Sequence, residues 1–262
     1  MRIVSWNLNN RRNSSGQWDF LGRCDADVLF LQEAHHVPDD VLEEYCCVSS
    51  PTVSVDGNRV ARQSVVLVRG EIEDELVFTS SNHFWVADVL ADVWGSFVGV
   101  KARLFDKSYN LVCVYNPYWP LGDRIADGVD VSRIKRELTS GVWACDLFLD
   151  CLRSGAMDNG LPWIIGGDFN LCETLDVPRP RGNREFLDRM SHAGFYECLR
   201  GLNSGELVPT YGYENGAGVN QLDYLYVSND LQSKISNCKT GSVEEIFGGK
   251  LSDHLPMVLV IS

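Results

Sequence analysis

Short runs rich in Val, Ile, Leu, Phe, Trp and Tyr recur along the whole chain, at 2–8, 27–31, 64–68, 75–79, 84–90, 96–104, 110–115, 162–166, 222–227 and 256–261. Each has strand length and is bounded by Gly, Pro, Asn, Asp or Ser, so each is expected to form a strand. Several, such as Val65-Val66-Leu67-Val68, do not alternate with polar residues, the pattern of a sheet covered on both faces. Helical spacing is rarer. One amphipathic stretch runs from Asp130-Val131-Ser132 to about Arg153 with Ser154-Gly155 as its stop; 184–193 is a second, and 16–24 and 38–45 are shorter ones. There are too many strands for one ordinary sheet, which points to an α/β chain of two sheets packed face to face with helices on the outer faces.

Polar residues where the apolar runs stop turn the question from fold to chemistry. They are Trp6-Asn7-Leu8-Asn9, Leu31-Gln32-Glu33, Val114-Tyr115-Asn116-Pro117, Gly166-Gly167-Asp168-Phe169-Asn170 and Ser252-Asp253-His254-Leu255-Pro256, with Asn220-Gln221-Leu222-Asp223-Tyr224 opening a strand. Singly, each has an ordinary explanation: Glu33 an exposed strand end, Asp168 a turn residue after two glycines, His254 a core histidine, Tyr115 a core aromatic. Acids in such places are costly to bury without a metal, a partner charge or a turn to cap. Glu33, Asp253 and the Asn7 amide are hard oxygen donors suited to Mg²⁺ or Mn²⁺. Asp168 and Asn170, two apart on an extended segment, are expected to face one point, the carboxylate to take a proton and the amide to donate a hydrogen bond. A histidine, His254, held by Asp223 completes a centre able to stabilise charge on phosphate oxygens.

Charge restricts what such a centre can act on. The 262 residues carry 36 Asp+Glu against 23 Lys+Arg, a formal charge of −13, so a polyanion feels no global attraction and must be held locally, by a metal ion or a small basic patch. With 45% hydrophobic residues and no repeat or linker to divide it, the chain 1–262 reads as one globular domain. Nine cysteines without a C-x-x-C pair read as reduced, packed thiols rather than a zinc site. No run approaches the ~18 apolar residues of a membrane helix, and no basic-then-apolar leader opens the sequence. The expectation is a cytoplasmic protein (nuclear in a eukaryote) that does not enter membranes, and with no heptad or sticky edge, a monomer.

In order along nearly the whole chain, Ser5-Trp6-Asn7, Leu31-Gln32-Glu33, Tyr115-Asn116-Pro117, Gly167-Asp168-Phe169-Asn170, Leu222-Asp223-Tyr224 and Ser252-Asp253-His254-Leu255-Pro256 resemble the motifs of the endonuclease/exonuclease/phosphatase superfamily, and within it the exonuclease III-like AP endonucleases and DNase-like nucleases. Each string is short, but six in the right order are specific. The resemblance implies a four-layer α/β/β/α sandwich of two mostly antiparallel sheets flanked by helices, with the site at one edge. It implies Mg²⁺ (or Mn²⁺) held principally by Glu33 with Asn7 and Asp253, Asp168 activating water, and Asn170 bonding the phosphate or that water. His254 paired with Asp223 would contact a phosphate oxygen, and Tyr115 would position the phosphate or the leaving group. In the nuclease members, cleavage leaves a 3′-hydroxyl and a 5′-phosphate.

Departures from the pattern bear on substrate more than on chemistry. Asn9 stands where AP endonucleases carry an acid, and His35 and Gln221 stand where many relatives carry a positive charge. Nucleic acid, DNA ahead of RNA, is the expected partner, with Asn9, Arg179 and Arg181 on the substrate side. Arg184, Arg189, Arg124, Arg133, Lys135 and Arg136 are further basic candidates, and Tyr118, Trp119, Tyr211 and Tyr213 are aromatics able to stack on bases. Two other readings remain: a phosphatase or phosphodiesterase of a small or lipid-borne phosphate, favoured by the acidity, and a catalytically silent module on the same scaffold.

Overall fold

Two six-stranded sheets stack face to face. The first contains β1 (Arg2–Asn7), β2 (Val28–Ala34), β3 (Cys46–Val53), β4 (Arg59–Val68), β11 (Ile235–Thr240) and β12 (Met257–Ile261), in the spatial order β11-β12-β1-β2-β4-β3. The second contains β5 (Glu71–Glu75), β6 (Phe97–Leu104), β7 (Lys107–Tyr115), β8 (Trp163–Asp168), β9 (Phe195–Glu197) and β10 (Asp223–Ser228), in the order β5-β6-β7-β8-β10-β9. The helices are α1 (Ser15–Cys24), α2 (Asp39–Glu44), α3 (Trp85–Asp92), α4 (Ala144–Arg153), α5 (Asn183–His192), α6 (Cys198–Leu202) and α7 (Asn229–Gln232). This computed structural model describes every residue except 11–14, 55, 57, 94, 140, 178–179 and 213–219. Each sheet has a single parallel pairing, β1 with β2 and β7 with β8; all other pairings are antiparallel.

The non-alternating runs follow from this layering. In β2, Val28 and Phe30 enter the core between the sheets, whereas Leu29 and Leu31 enter the layer under α1, beside Phe20 and Leu21. Val66 and Val68 of β4 divide from Val65 and Leu67 in the same way. Under the second sheet, Val112, Val114 and Ile165 meet Phe148 and Leu149 of α4 and Phe186 and Met190 of α5. Strands buried on both faces need no polar side, and each large apolar side chain buried contributes roughly 1.5–3 kcal/mol. The edge strand β5, Glu-Ile-Glu-Asp-Glu, is instead almost wholly charged and exposed, which keeps that edge from pairing with another chain. All nine cysteines are free thiols, six of them buried, and among the described residues no helix is long and apolar enough to cross a membrane.

Three expected elements are corrected. The run 84–90 is helical, not extended: α3 buries Val86, Val89 and Leu90 on one face, and a run this short fits both periods. At 75–79 only Glu75 is in a strand, since β5 lies earlier at Glu71–Glu75. The long helix from Asp130 to Arg153 is only its last part, α4, with turns before it. The reason is Arg136, whose side chain is drawn inward to pair with Asp146 at 2.7 Å, a partner on the first turn of α4 that a continuous helix would not let it reach.

Candidate active site

The first turn of chemistry lies where the two parallel strand pairs end. Asn7 closes β1 opposite Gln32 of β2, and Tyr115 closes β7 opposite Asp168 of β8. Gly167 lets β8 lie close to β7, and Gly166 lets it pack against β10 and the facing sheet. A Cβ on Gly167, at φ +152°, would fall 1.9 Å from the Val114 carbonyl oxygen, and one on Gly166 would strike Leu225 and Phe30. Asp168 is thereby the last residue of a buried strand rather than a turn residue.

Several polar residues near the site sit in the left-handed region, Glu33, Asn170 and Asn9 among them. Glu33 has φ 53° at an irregularity in the β2–β4 register, and β1's continuation holds it there through Leu8 N–H to the Gln32 carbonyl (2.8 Å) and Asn10 N–H to the Glu33 carbonyl (3.1 Å). Such backbone is held only where surrounding structure over-determines it. Asn170 has φ 49°, so it does not continue the extended segment expected for it, and a turn rather than strand alternation holds it beside Asp168. Its backbone N–H donates to Asp168 Oδ1 (2.8 Å), and its side-chain amide is tied to the Asn116 carbonyl (2.9 Å).

From Asp168 a buried polar chain runs through the site. Asn7 Nδ2 donates to Asp168 Oδ2 at 3.0 Å while Asn7 Oδ1 accepts from Asn9 N–H at 2.9 Å, which fixes which way the amide points. His254 Nε2 lies 3.9 Å from Asp168 Oδ2, and its Nδ1 lies 2.9 Å from Asp223 Oδ2. Thr210 Oγ1 donates to the same Asp223 oxygen (2.6 Å), and Ser252 Oγ joins the Asn7 carbonyl (2.7 Å) to the His254 N–H (3.1 Å). Trp6 Nε1 binds the His254 carbonyl at 2.8 Å, and the Tyr211 ring packs on the imidazole. Burial opposes a charged His254, but the Asp223 and Asp168 carboxylates outweigh it and lift its pKa to about 10. Burial raises Asp168 to about 7, partly countered by His254 and reinforced by Asp223. A carboxyl poised there suits proton transfer near neutrality.

Beside this chain lies the oxygen-donor side. Tyr115 Oη donates to Glu33 Oε1 at 2.6 Å, and burial together with the Glu33 charge holds the phenol far above its usual range. Asp253 is half buried; burial raises its carboxyl, countered by His254 and reinforced by repulsion from Glu33 and Asp223. Two carboxylates that repel one another, Glu33 at the end of β2 and Asp253 in the loop before β12, together with an amide oxygen that has a lone pair to spare, are a donor set that fits a hard divalent cation. Asp168, Asp223 and His254 also offer ligand atoms within 4.8 Å of one another. An imidazole whose Nδ1 is hydrogen-bonded to a carboxylate keeps Nε2 for a second partner, a phosphate oxygen or a metal ion.

The chain from residue 4 to 254 matches the model of the endonuclease/exonuclease/phosphatase family. It belongs to that family. A curated relative, the exodeoxyribonuclease of Bacillus subtilis (strain 168), is 24% identical with both chains covered in full. Among solved structures, the 3′ phosphatase NExo from Neisseria, bound to a product DNA hairpin, superposes with a TM-score of 0.69 at 16% identity, covering 100% of this chain and 99% of that one. An AP endonuclease from Archaeoglobus fulgidus gives 0.65 at 18% identity, covering 100% and 99%. Members of the family hydrolyse phosphoester bonds with a divalent metal, and two mixed sheets flanked by helices are their fold.

Against that family pattern, the expected basic patch changes most. Arg136 is wholly buried, Arg189 is taken up by Glu185 and the Ile134 and Lys135 carbonyls, and Arg184, though exposed, is paired with Glu173 and Asp188. Arg181 is exposed, and among the described residues no hydrogen bond or ion pair joins its side chain to the site. Arg179 and Tyr213 lie outside the described residues. Asn9 contributes its backbone N–H to Asn7, and Trp119 is held under Arg124, 5.1 Å from its ring. Sequence reasoning missed Thr210 and Arg62, and it quoted Ser252 in its motif without giving it a role. Thr210 and Ser252 are short hydroxyls in loops, which carry little signal of their own. Arg62 reaches Glu33 Oε2 at 3.4 Å from across the sheet, and its segment Arg59-Val60-Ala61-Arg62-Gln63 reads as polar edge.

Proposed function

We propose that this protein is a Mg²⁺- or Mn²⁺-dependent nuclease that hydrolyses phosphodiester bonds in DNA and leaves 3′-hydroxyl and 5′-phosphate ends. The observation that carries this reading is the buried chain Asn7–Asp168–His254–Asp223 abutting the Glu33–Tyr115 pair. Glu33, Asp253 and the Asn7 amide oxygen would hold the ion, whose contribution when bound is to neutralise charge on the phosphate and on the departing oxygen. Asp168 orients a water and takes its proton as that oxygen attacks phosphorus in line with the departing 3′ oxygen. Asn170, pinned by Asn116, keeps Asp168 Oδ1 turned toward its N–H and leaves its own amide oxygen to hold the water. His254, charged and oriented by Asp223, donates through Nε2 to a non-bridging phosphate oxygen. Tyr115 positions the phosphate from the Glu33 side.

The names of the relatives favour DNA: an exodeoxyribonuclease, an AP endonuclease and a phosphatase solved on a DNA hairpin. The last also supports a second reading, removal of a terminal 3′ phosphate from DNA by the same in-line attack. One panel decides: abasic duplex, plain duplex, single strand, RNA, a 3′-phosphorylated duplex and inositol phosphates, each with Mg²⁺, Mn²⁺ or EDTA, with product ends analysed on gels. Metal-dependent cutting of DNA supports the nuclease. Release of phosphate from the 3′-phosphorylated duplex without strand cutting establishes the second reading, and turnover of inositol phosphates alone removes both.

A further inference from the structure

The fold brings one guanidinium against a carboxylate of the site and leaves it under-used. Arg62 Nη1 stands 3.4 Å from Glu33 Oε2, longer than the roughly 2.7–2.9 Å of a good charge-assisted bond. Its guanidinium lies over the Tyr115 ring, 5.6 Å from the centroid, and its Nε is buried without a hydrogen-bond partner among the described residues. A planar fork engaged by a single long contact retains the donors with which arginine grips phosphate. Arg62 and Tyr115 line a crevice shared with Thr52, Pro117 and Tyr118, and Tyr118 is 72% exposed. Its neighbour Trp119 is committed to Arg124, so Tyr118 is the ring of that loop left open to solvent. In a chain of net charge −13 whose Arg136, Arg184 and Arg189 are paired with carboxylates, Arg62 is the arginine that stands directly against a carboxylate of the site.

We propose that Arg62 and Tyr118 form a subsite for the nucleotide next to the scissile bond, the guanidinium taking its backbone phosphate and the exposed ring stacking on its base. The proposal rests on the nuclease reading. It is tested by fluorescence anisotropy of a labelled DNA oligonucleotide in EDTA, where no cleavage intervenes, across a salt series. Arg62→Ala and Arg62→Gln are each expected to weaken binding about 10-fold and to lower the slope of log K against log salt by about one phosphate's share. Arg62→Lys restores the slope, which a merely structural role would not do. Tyr118→Ala weakens binding about 10-fold with the slope unchanged, as loss of stacking requires. Wild-type affinity and slope in both neutral Arg62 variants, with unchanged melting temperature, overturn the subsite while leaving the nuclease intact. Failure of the wild-type protein to bind any oligonucleotide, in EDTA and with Ca²⁺ in place of Mg²⁺ alike, overturns the subsite, whereas the nuclease reading falls only if the metal-supplemented cleavage panel shows no cutting.

Discussion

Two buried ion pairs of this molecule do opposite things. Arg136 and Asp146, each 1% exposed, form a closed unit. The Arg136 donors go to Asp146 (2.7 Å), the Arg181 carbonyl (3.2 Å), Asn183 Oδ1 (3.3 Å) and Cys145 Sγ (3.0 Å), and the guanidinium lies 4.8 Å from the Trp143 centroid and 5.3 Å from that of Phe186. Asp146 spends its other oxygen on the Trp143 N–H. His254 and Asp223 are as deeply buried but open: Nε2 stops 3.9 Å short of Asp168, and Asp223 Oδ1 has no partner among the described residues. Burial and charge alone therefore do not mark a reactive centre. Unspent hydrogen-bonding capacity does.

The contrast predicts where substitutions register. Asp168→Asn and His254→Ala lower turnover by ~10³-fold or more with little loss of melting temperature, since each removes transition-state contacts while relieving a buried charge; steady-state rates and calorimetry on the same samples check this. Arg136→Met does the reverse. It strands Asp146 without a countercharge and costs about 3–5 kcal/mol of stability, with turnover of the folded fraction near wild type, and adding Asp146→Leu recovers most of the loss in denaturant titrations. Thr210→Val removes the hydroxyl that donates to Asp223 Oδ2 and accepts from the Leu222 and Asp223 N–H groups, and lowers turnover about tenfold or more together with some loss of melting temperature from the two stranded donors. An unchanged rate would show that Asp223 needs no orienting.

The smallest effect concerns a partly buried acid outside both pairs. Burial raises Glu197 to about 7, against the N–H bonds it accepts from Arg200 and Leu199 at the start of α6. A folded-state pKa above the unfolded value gives a contribution that is complete below about pH 4.5 and lost as pH rises through about 7. Between pH 5 and 8 the wild type should therefore lose about 2–4 °C of melting temperature that Glu197→Gln keeps. Parallel curves for the two proteins would show the carboxylate is better compensated than its surroundings suggest.

Much of the site was legible because a polar residue at the end of an apolar run has no packing task. Asn7, Glu33, Tyr115, Asp168, Asp223 and His254 all announced themselves in that way, and the fold follows from runs such as Val65-Val66-Leu67-Val68 that need two apolar layers. What escaped depended on contacts distant in sequence. Arg136 looked like a surface cation until Asp146 and two aromatic rings claimed it, and Arg62 belongs to the site only because β4 pairs with β2. The run 84–90 was ambiguous for a local reason, since seven residues span scarcely two helical turns and equally one strand. The left-handed backbone at Glu33 and Asn170 had no signature either, because neither residue is glycine.

β12 inserts between β1 and β11, and the loop entering it carries Ser252, Asp253 and His254 to the end of β1, where Trp6 and Asn7 anchor them. Partners 248 residues apart must meet before imidazole and carboxylates face each other. Assembly of the candidate centre is thus coupled to the docking of β12: until that strand pairs with β1, neither Asp253 nor His254 can stand beside Glu33 and Asp168.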